Sequence, residues 1–148
     1  MSRRPLAVTS LAVLLALGLS ACGGGEPAVS VTAGPVASTA PVAGSQLPLA
    51  EFAAALKRPG TTLLDVRTPA EFAEGHLPGA VNIDVQSPDF DARLAALPAD
   101  ATYAVYCRSG NRSAAAVERM TAAGFTRAYD LAGGIVDWQD AGGEVVTG

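Results

Sequence analysis

The stretch that most restricts the fold lies at residues 104–123, where the apolar run Ala104-Val105-Tyr106 meets Cys107-Arg108-Ser109-Gly110-Asn111-Arg112-Ser113 and then a helix-like run from Ala114 to Ala123. A short apolar strand, a polar loop containing glycine and a helix in direct succession make a β-loop-α unit. Such a unit commits the chain to a sheet whose faces are covered by the helices that connect its strands.

The segments before and after it repeat the alternation. Pro48 to Lys57 places Leu49, Phe52, Ala53 and Leu56 at helical spacing, and Pro59-Gly60 stops the helix. Thr61 to Val66 is β-branched and apolar, a buried strand ending in Asp65-Val66-Arg67. Thr68-Pro69-Ala70-Glu71 supplies an N-cap, a proline at the first helical position and a capping-box glutamate for a short helix to about Glu74. A turn at Gly75–Gly79 leads to a short strand, Ala80 to Ile83, and Phe90 to Leu97 reads as an amphipathic helix closed by Pro98. Thr102 to Tyr106 is the strand that delivers Cys107, and Ser113 to Ala123 is the helix that receives it, with Val117 and Met120 on its buried face and Gly124 as C-cap. Arg127 to Leu131 is a last strand, Gly133-Gly134 a turn, and Ile135 to Gln139 a short helix with Trp138 packed inward. Strands separated by helix-length segments predict an α/β fold: a central, mainly parallel sheet of about five strands with helices on both faces. Ligands in such sheets bind beyond the carboxyl ends of the strands, which is where Cys107 falls.

The chemistry of that position follows from its neighbours. Backbone N–H groups at the start of a helix favour negative charge, and Arg108 and Arg112 bring two cations, so the loop favours a thiolate over a thiol. A lone cysteine is more commonly a small buried hydrophobe. Here the flanking Arg, Ser, Gly and Asn are polar and turn-forming, which suits a reactive site better than a core slot. Asp65 and Arg67 are read as a charge-assisted pair that fixes a loop near the site. His76 lies in a Gly/Pro turn far along the chain from Cys107, and Trp138 is read as core in preference to a stacking platform.

Charge and cysteine usage narrow the partners. The chain of 148 residues has a formal net charge of −4, and without its first 21 residues, which hold two arginines and no acid, it would carry −6. That balance argues against nucleic acid, whose phosphates would need a basic patch. With one histidine and two cysteines, Cys22 and Cys107, in unrelated contexts, neither a metal site nor another cofactor is expected.

At the N-terminus, Arg3 and Arg4 precede an apolar run from Leu6 to Leu19 and then Leu19-Ser20-Ala21-Cys22. Basic residues, a short apolar region and small residues before a cut make a secretory signal, too short for a comfortable membrane span. Leu-Ser-Ala-Cys resembles the lipobox of bacterial lipoproteins, which implies residues 1–21 as a signal peptide, cleavage before Cys22, lipid such as palmitate attached there, and a domain held at the cell membrane on its extracytoplasmic side. An ordinary signal peptide or an uncleaved anchor with a chance cysteine is the plainer alternative. Ser2-Arg3-Arg4 partly resembles a twin-arginine export signal but lacks the aromatic expected after the pair. Residues 22–46, rich in Gly, Pro, Ala, Ser, Thr and Val with Glu26 as sole charge, read as a flexible tether, and residues 47–148 as the folded domain.

The Cys107–Ser113 loop, with Asp65-Val66-Arg67 and Gly75-His76-Leu77-Pro78-Gly79-Ala80 before it and Leu131-Ala132-Gly133-Gly134-Ile135-Val136-Asp137-Trp138 after it, resembles a single-domain rhodanese, a sulfurtransferase, from roughly Leu47 to the C-terminus. The resemblance implies a rhodanese-like fold in which Cys107 takes the outer sulfur of thiosulfate or a similar anion, holds it as a persulfide, and yields it to a thiol or cyanide. Arg108, Ser109, Gly110, Asn111 and Arg112 would form the substrate-binding loop, and the segment around His76 would be structural. Two rivals differ in class. A phosphatase loop has five residues between cysteine and arginine where this chain has four, a ring tighter than a tetrahedral phosphate requires, and no aspartate is evidently placed as leaving-group acid. A non-catalytic binding or redox-sensing module needs no turnover, but inactive rhodaneses usually lack the cysteine retained here.

Overall fold

The computed structural model describes residues 34–148. The expected signal segment, Cys22 and the first part of the expected tether therefore lie outside the described residues. Among those described, no helix is long and apolar enough to cross a membrane.

The elements run β1 (Gln46–Leu47), α1 (Leu49–Leu56), β2 (Thr61–Asp65), α2 (Pro69–Glu74), β3 (Val81–Asn82), α3 (Phe90–Ala95), β4 (Thr102–Tyr106), α4 (Asn111–Ala122), β5 (Ala128–Leu131) and α5 (Gly134–Asp140). The five strands form one sheet in the order β1-β5-β4-β2-β3, with every neighbouring pair parallel. The expected α/β architecture is the one observed. β4 occupies the centre, so the cysteine that follows it emerges in the middle of the sheet's C-terminal edge.

Alternation along the strands builds two cores. Leu64 of β2 and Val66 just beyond it join Tyr103, Val105 and Cys107 of the β4 segment against Phe90 and Leu94 of α3 and Ala116, Val117 and Met120 of α4. Leu63, Ala104, Tyr106, Tyr129 and Leu131 face the other way, against Phe52 of α1 and Ile135 and Trp138 of α5. Successive side chains of a strand point to opposite faces, and here both faces are covered, which is why these strands read as unbroken apolar runs. Truncating a large buried side chain such as Phe90 to alanine in either layer would cost about 3–5 kcal/mol.

Local rules account for the helix ends. Thr68 Oγ1 accepts from the Glu71 N–H at 3.3 Å while the Thr68 N–H donates to Glu71 Oε2 at 3.1 Å, completing the expected capping box with Pro69 in the first turn. At the far end of α4, Phe125 N–H bonds Met120 O and Gly124 N–H bonds Thr121 O, with Gly124 at φ +93°. That is a Schellman closure. α4 itself starts at Asn111, earlier than the expected Ser113, because Gly110 at φ +90° makes the turn that lets the helix begin at once.

The largest difference lies ahead of α1. The stretch read as tether up to Gln46 is packed onto the domain from Ala37: the Ala37 N–H donates to Ala54 O at 2.9 Å, Arg58 Nη1 donates to Ala37 O at 2.8 Å, and Gly44 N–H bonds Ala128 O at 2.8 Å. Asp130 N–H then bonds Ser45 O and Ala132 N–H bonds Leu47 O, each at 3.0 Å. The segment has few large apolar groups, so the attraction is of another kind. β5 would otherwise present an open edge of unpaired backbone groups, and residues 44–47 cover it.

Candidate active site

Cys107 is 1% exposed, and its sulfur accepts the Gly110 N–H at 3.2 Å. The loop around it is shaped by where its carbonyls go. Cys107 O accepts the Ile135 N–H at 2.9 Å and Arg108 O the Val136 N–H at 3.3 Å, both from the first turn of α5. Those carbonyls are thereby held away from the sulfur. Gly134, at φ +62°, permits this contact, since a Cβ there would lie 2.5 Å from the Arg108 carbonyl carbon and oxygen and 2.6 Å from Cys107 O. The Gly133-Gly134 pair, read from sequence only as a turn, is a wall of the site.

Of the expected loop residues, Arg108, Ser109 and Asn111 are exposed on the rim, Gly110 is buried, and Arg112 is half-buried. One expectation needs correcting: Arg112 is not a free cation beside the sulfur. Its Nη1 and Nη2 bond Glu71 Oε2 and Oε1 at 2.8 and 2.7 Å, a bidentate pair that ties the start of α4 to α2. The Arg112 guanidinium, with smaller help from Thr68, holds the Glu71 carboxyl down at about 2. Glu71 therefore has a second role that its place in the capping box conceals. Among the described residues Arg108 has no ion-pair partner, so it carries the loop's uncompensated positive charge. Of the expected ring of N–H groups, the one hydrogen-bonded to the sulfur among the described residues is that of Gly110.

Asp65 and Arg67 form the predicted pair, fully buried, with Arg67 Nη2 at 2.6 Å from Asp65 Oδ2 and 2.7 Å from Gly75 O. Asn82 Nδ2 donates to the carbonyls of Asp65 and Arg67, which ties β3 to the same corner. Tyr106, one residue before the cysteine, accepts the Leu77 N–H at 3.0 Å, and burial pushes its hydroxyl well above the ordinary phenol range. His76 stacks on Phe72 at 3.7 Å and bonds Phe72 O through Nδ1, and Trp138 is fully buried with its indole N–H on Glu144 O. Both are structural, as expected.

Two polar residues that sequence reasoning did not single out, Asp130 and Gln46, lie behind the loop. Asp130, 1% exposed, accepts from Ser113 Oγ at 2.8 Å and Gln46 Nε2 at 3.0 Å. Burial raises its carboxyl above the ordinary carboxylate value, opposed by those two hydrogen bonds. On the outer side, a cleft of about 370 Å³ is lined by Arg67, Glu71, Glu74, Arg108, Val136 and Gln139. It lies where the loops after β2, β4 and β5 meet.

A parallel sheet that presents one cysteine at the end of its central strand, with an amide on the sulfur, defines a class of α/β domains built around a thiol loop. The chain belongs to the rhodanese-like domain family, whose model matches residues 48–141. It is 37% identical over 84 residues, 57% of this chain and 77% of the relative, to a sulfurtransferase of Allochromatium vinosum. With the thiosulfate sulfurtransferase GlpE of Pseudomonas aeruginosa (strain LESB58) it shares 38% identity over 90 residues, 60% of this chain and 79% of the relative. A rhodanese-related protein from Thermoplasma volcanium superposes with a TM-score of 0.62 at 35% identity, covering 70% of this chain and 99% of that one.

Proposed function

We propose that the protein is a sulfurtransferase that carries sulfane sulfur on Cys107. The Cys107 thiolate attacks the outer sulfur of thiosulfate; a new S–S bond forms as the old one breaks, and sulfite departs with the electron pair. The persulfide then gives its outer sulfur to cyanide, forming thiocyanate, or to a thiolate, forming a persulfide on the acceptor. Either step returns the Cys107 thiolate. The scheme needs no separate acid or base, only a nucleophile whose negative charge is stabilised in place.

The observation that carries this reading is the Gly110 N–H at 3.2 Å from Sγ. It gives the sulfur a polar partner, although the side chain also joins the first core layer. The cleft beside Arg108 suits a small anion or a low-molecular-weight thiol in size and polarity. The 1% exposure of Cys107 favours a rival reading, a binding module without turnover, over a redox sensor, whose thiol must be reached from solvent. Thiosulfate:cyanide sulfur transfer by the purified protein, abolished in Cys107→Ser, supports the enzyme. Turnover that survives Cys107→Ser refutes the mechanism, and a thiosulfate-treated sample with no added sulfur on Cys107 by mass spectrometry supports the module.

We further propose that Arg3, Arg4, the run to Leu19 and Leu19-Ser20-Ala21-Cys22 direct export and lipid attachment at Cys22, which places the domain on the extracytoplasmic side of the cell membrane. This reading is supported by sequence alone. Palmitate labelling that disappears in Cys22→Ala, with release of the protein from the membrane fraction, is the expected result; unlabelled wild-type protein would end the idea.

A further inference from the structure

Ser113 and Asp130 are 0% and 1% exposed, and the sulfur-transfer scheme uses neither. A buried carboxylate persists in a fold only when donors reach it, and the two donors of Asp130, Ser113 Oγ and Gln46 Nε2, share a second acceptor. That acceptor is the Gly110 carbonyl, at 3.0 Å from Ser113 Oγ and 3.3 Å from Gln46 Nε2, with the Ala114 N–H as a third donor at 3.0 Å. Ser113 has a single hydroxyl proton for two acceptors, while the Gln46 amide has two protons and can serve both. On its other side Gly110 is pressed against Ala132, whose carbonyl oxygen lies 1.8 Å from where a Cβ would be. Its carbonyl and its Cα are thus both held, and its N–H is the group in contact with the sulfur.

We propose that Gln46, Ser113 and Asp130 act together as positioning residues for sulfur transfer, fixing Gly110 so that its N–H stays aimed at Cys107 Sγ. None of the three touches the reacting atoms. Gln46 belongs to β1, ahead of the family-matched residues 48–141, so the strand that covers the edge of β5 also reaches the sulfur loop. The end of the segment that leads into the domain is thereby mechanically tied to the site.

The proposal rests on the sulfurtransferase reading, and its test has one readout that needs turnover and one that does not. In the full chain, Gln46→Leu removes both amide donors from an exposed side chain, Asp130→Ala removes the shared acceptor, and Asp130→Asn keeps an oxygen where the donors need it. Single-turnover loading of Cys107 from thiosulfate is expected to slow about tenfold in Asp130→Ala and about threefold in Gln46→Leu, in the limiting rate constant with the half-saturating thiosulfate concentration little changed, while Asp130→Asn stays within about twofold of wild type. The Gly110 amide signal in ¹H–¹⁵N spectra should move in the first two variants and hold its position in Asp130→Asn. Loading at the wild-type rate with an unmoved Gly110 signal in Gln46→Leu and Asp130→Ala overturns the proposal, as does Asp130→Asn falling as far as Asp130→Ala. If Asp130→Ala does not fold, Gln46→Leu and Asp130→Asn decide the matter. If the wild type loads no sulfur, the enzyme reading fails by itself, and the Gly110 signal still judges the positioning.

Discussion

Replacing Glu71 by glutamine isolates one interaction at the site. The glutamine carbonyl oxygen can still accept from Thr68, so the capping box of α2 survives, but an amide group now faces Arg112 where a carboxylate oxygen accepted at 2.7 Å. The fall of the Glu71 carboxyl from its ordinary 4.5 to about 2, at ~1.4 kcal/mol per tenfold change in proton affinity, sets a ceiling of about 3 kcal/mol. Both partners are about a quarter exposed, at 26% and 28%, so solvent screening and the entropy of two long side chains reduce this to about 1 kcal/mol. For a domain of this size that is about 4 °C in Tm at neutral pH. The sign of the pH dependence follows from a folded-state value below the ordinary one. The pair contributes fully above 4.5 and its contribution is lost as pH falls through about 2, so wild-type and Glu71→Gln melting temperatures should converge over that window. Melting by circular dichroism at several pH values between neutral and 2.5 is the assay. A Tm gap as wide at pH 2.5 as at pH 7, or no gap at pH 7, would refute the assignment of the pair as a stabilising ionic contact.

Three further changes test the frame of the site. Gly110→Ala forces a Cβ at φ +90° to within 1.8 Å of Ala132 O, so it should cost about 2–4 kcal/mol in a urea titration and abolish sulfur loading of Cys107. Asp65→Asn leaves the buried Arg67 guanidinium without its countercharge; a loss of about 3–5 kcal/mol is expected, read as a lower urea midpoint. Tyr106→Phe deprives the buried Leu77 N–H of its acceptor, and a loss of about 1–3 kcal/mol should accompany faster hydrogen exchange at the Leu77 amide.

What could be read from the sequence was whatever neighbouring residues decide among themselves. Thr68, Pro69 and Glu71 declare a helix start within four positions, and the unbroken apolar run from Tyr103 to Tyr106 declares a strand buried on both faces. The sheet, its parallel pairing and the placing of Cys107 at its carboxyl edge follow from such local signals in series, because connections of helix length leave few other topologies. The contacts that shape the loop are of another kind. Glu71 meets Arg112 across 41 positions and Gln46 meets Gly110 across 64, and no periodicity or spacing marks either residue for its partner. Residues 37–46 depart from the sequence expectation for a related reason. Their composition predicts that they cannot build a core, which is true, but it is silent on whether the neighbouring strand β5 has an edge in need of hydrogen bonds. Once that edge exists, backbone groups alone can order a segment that hydrophobicity would leave free, and a polar side chain such as Gln46 is then carried to the Gly110 carbonyl. The sulfur loop is therefore set less by its own sequence than by what reaches its back from elsewhere: the Ile135 and Val136 N–H groups, the Asp130 carboxylate and the β1 side chain of Gln46.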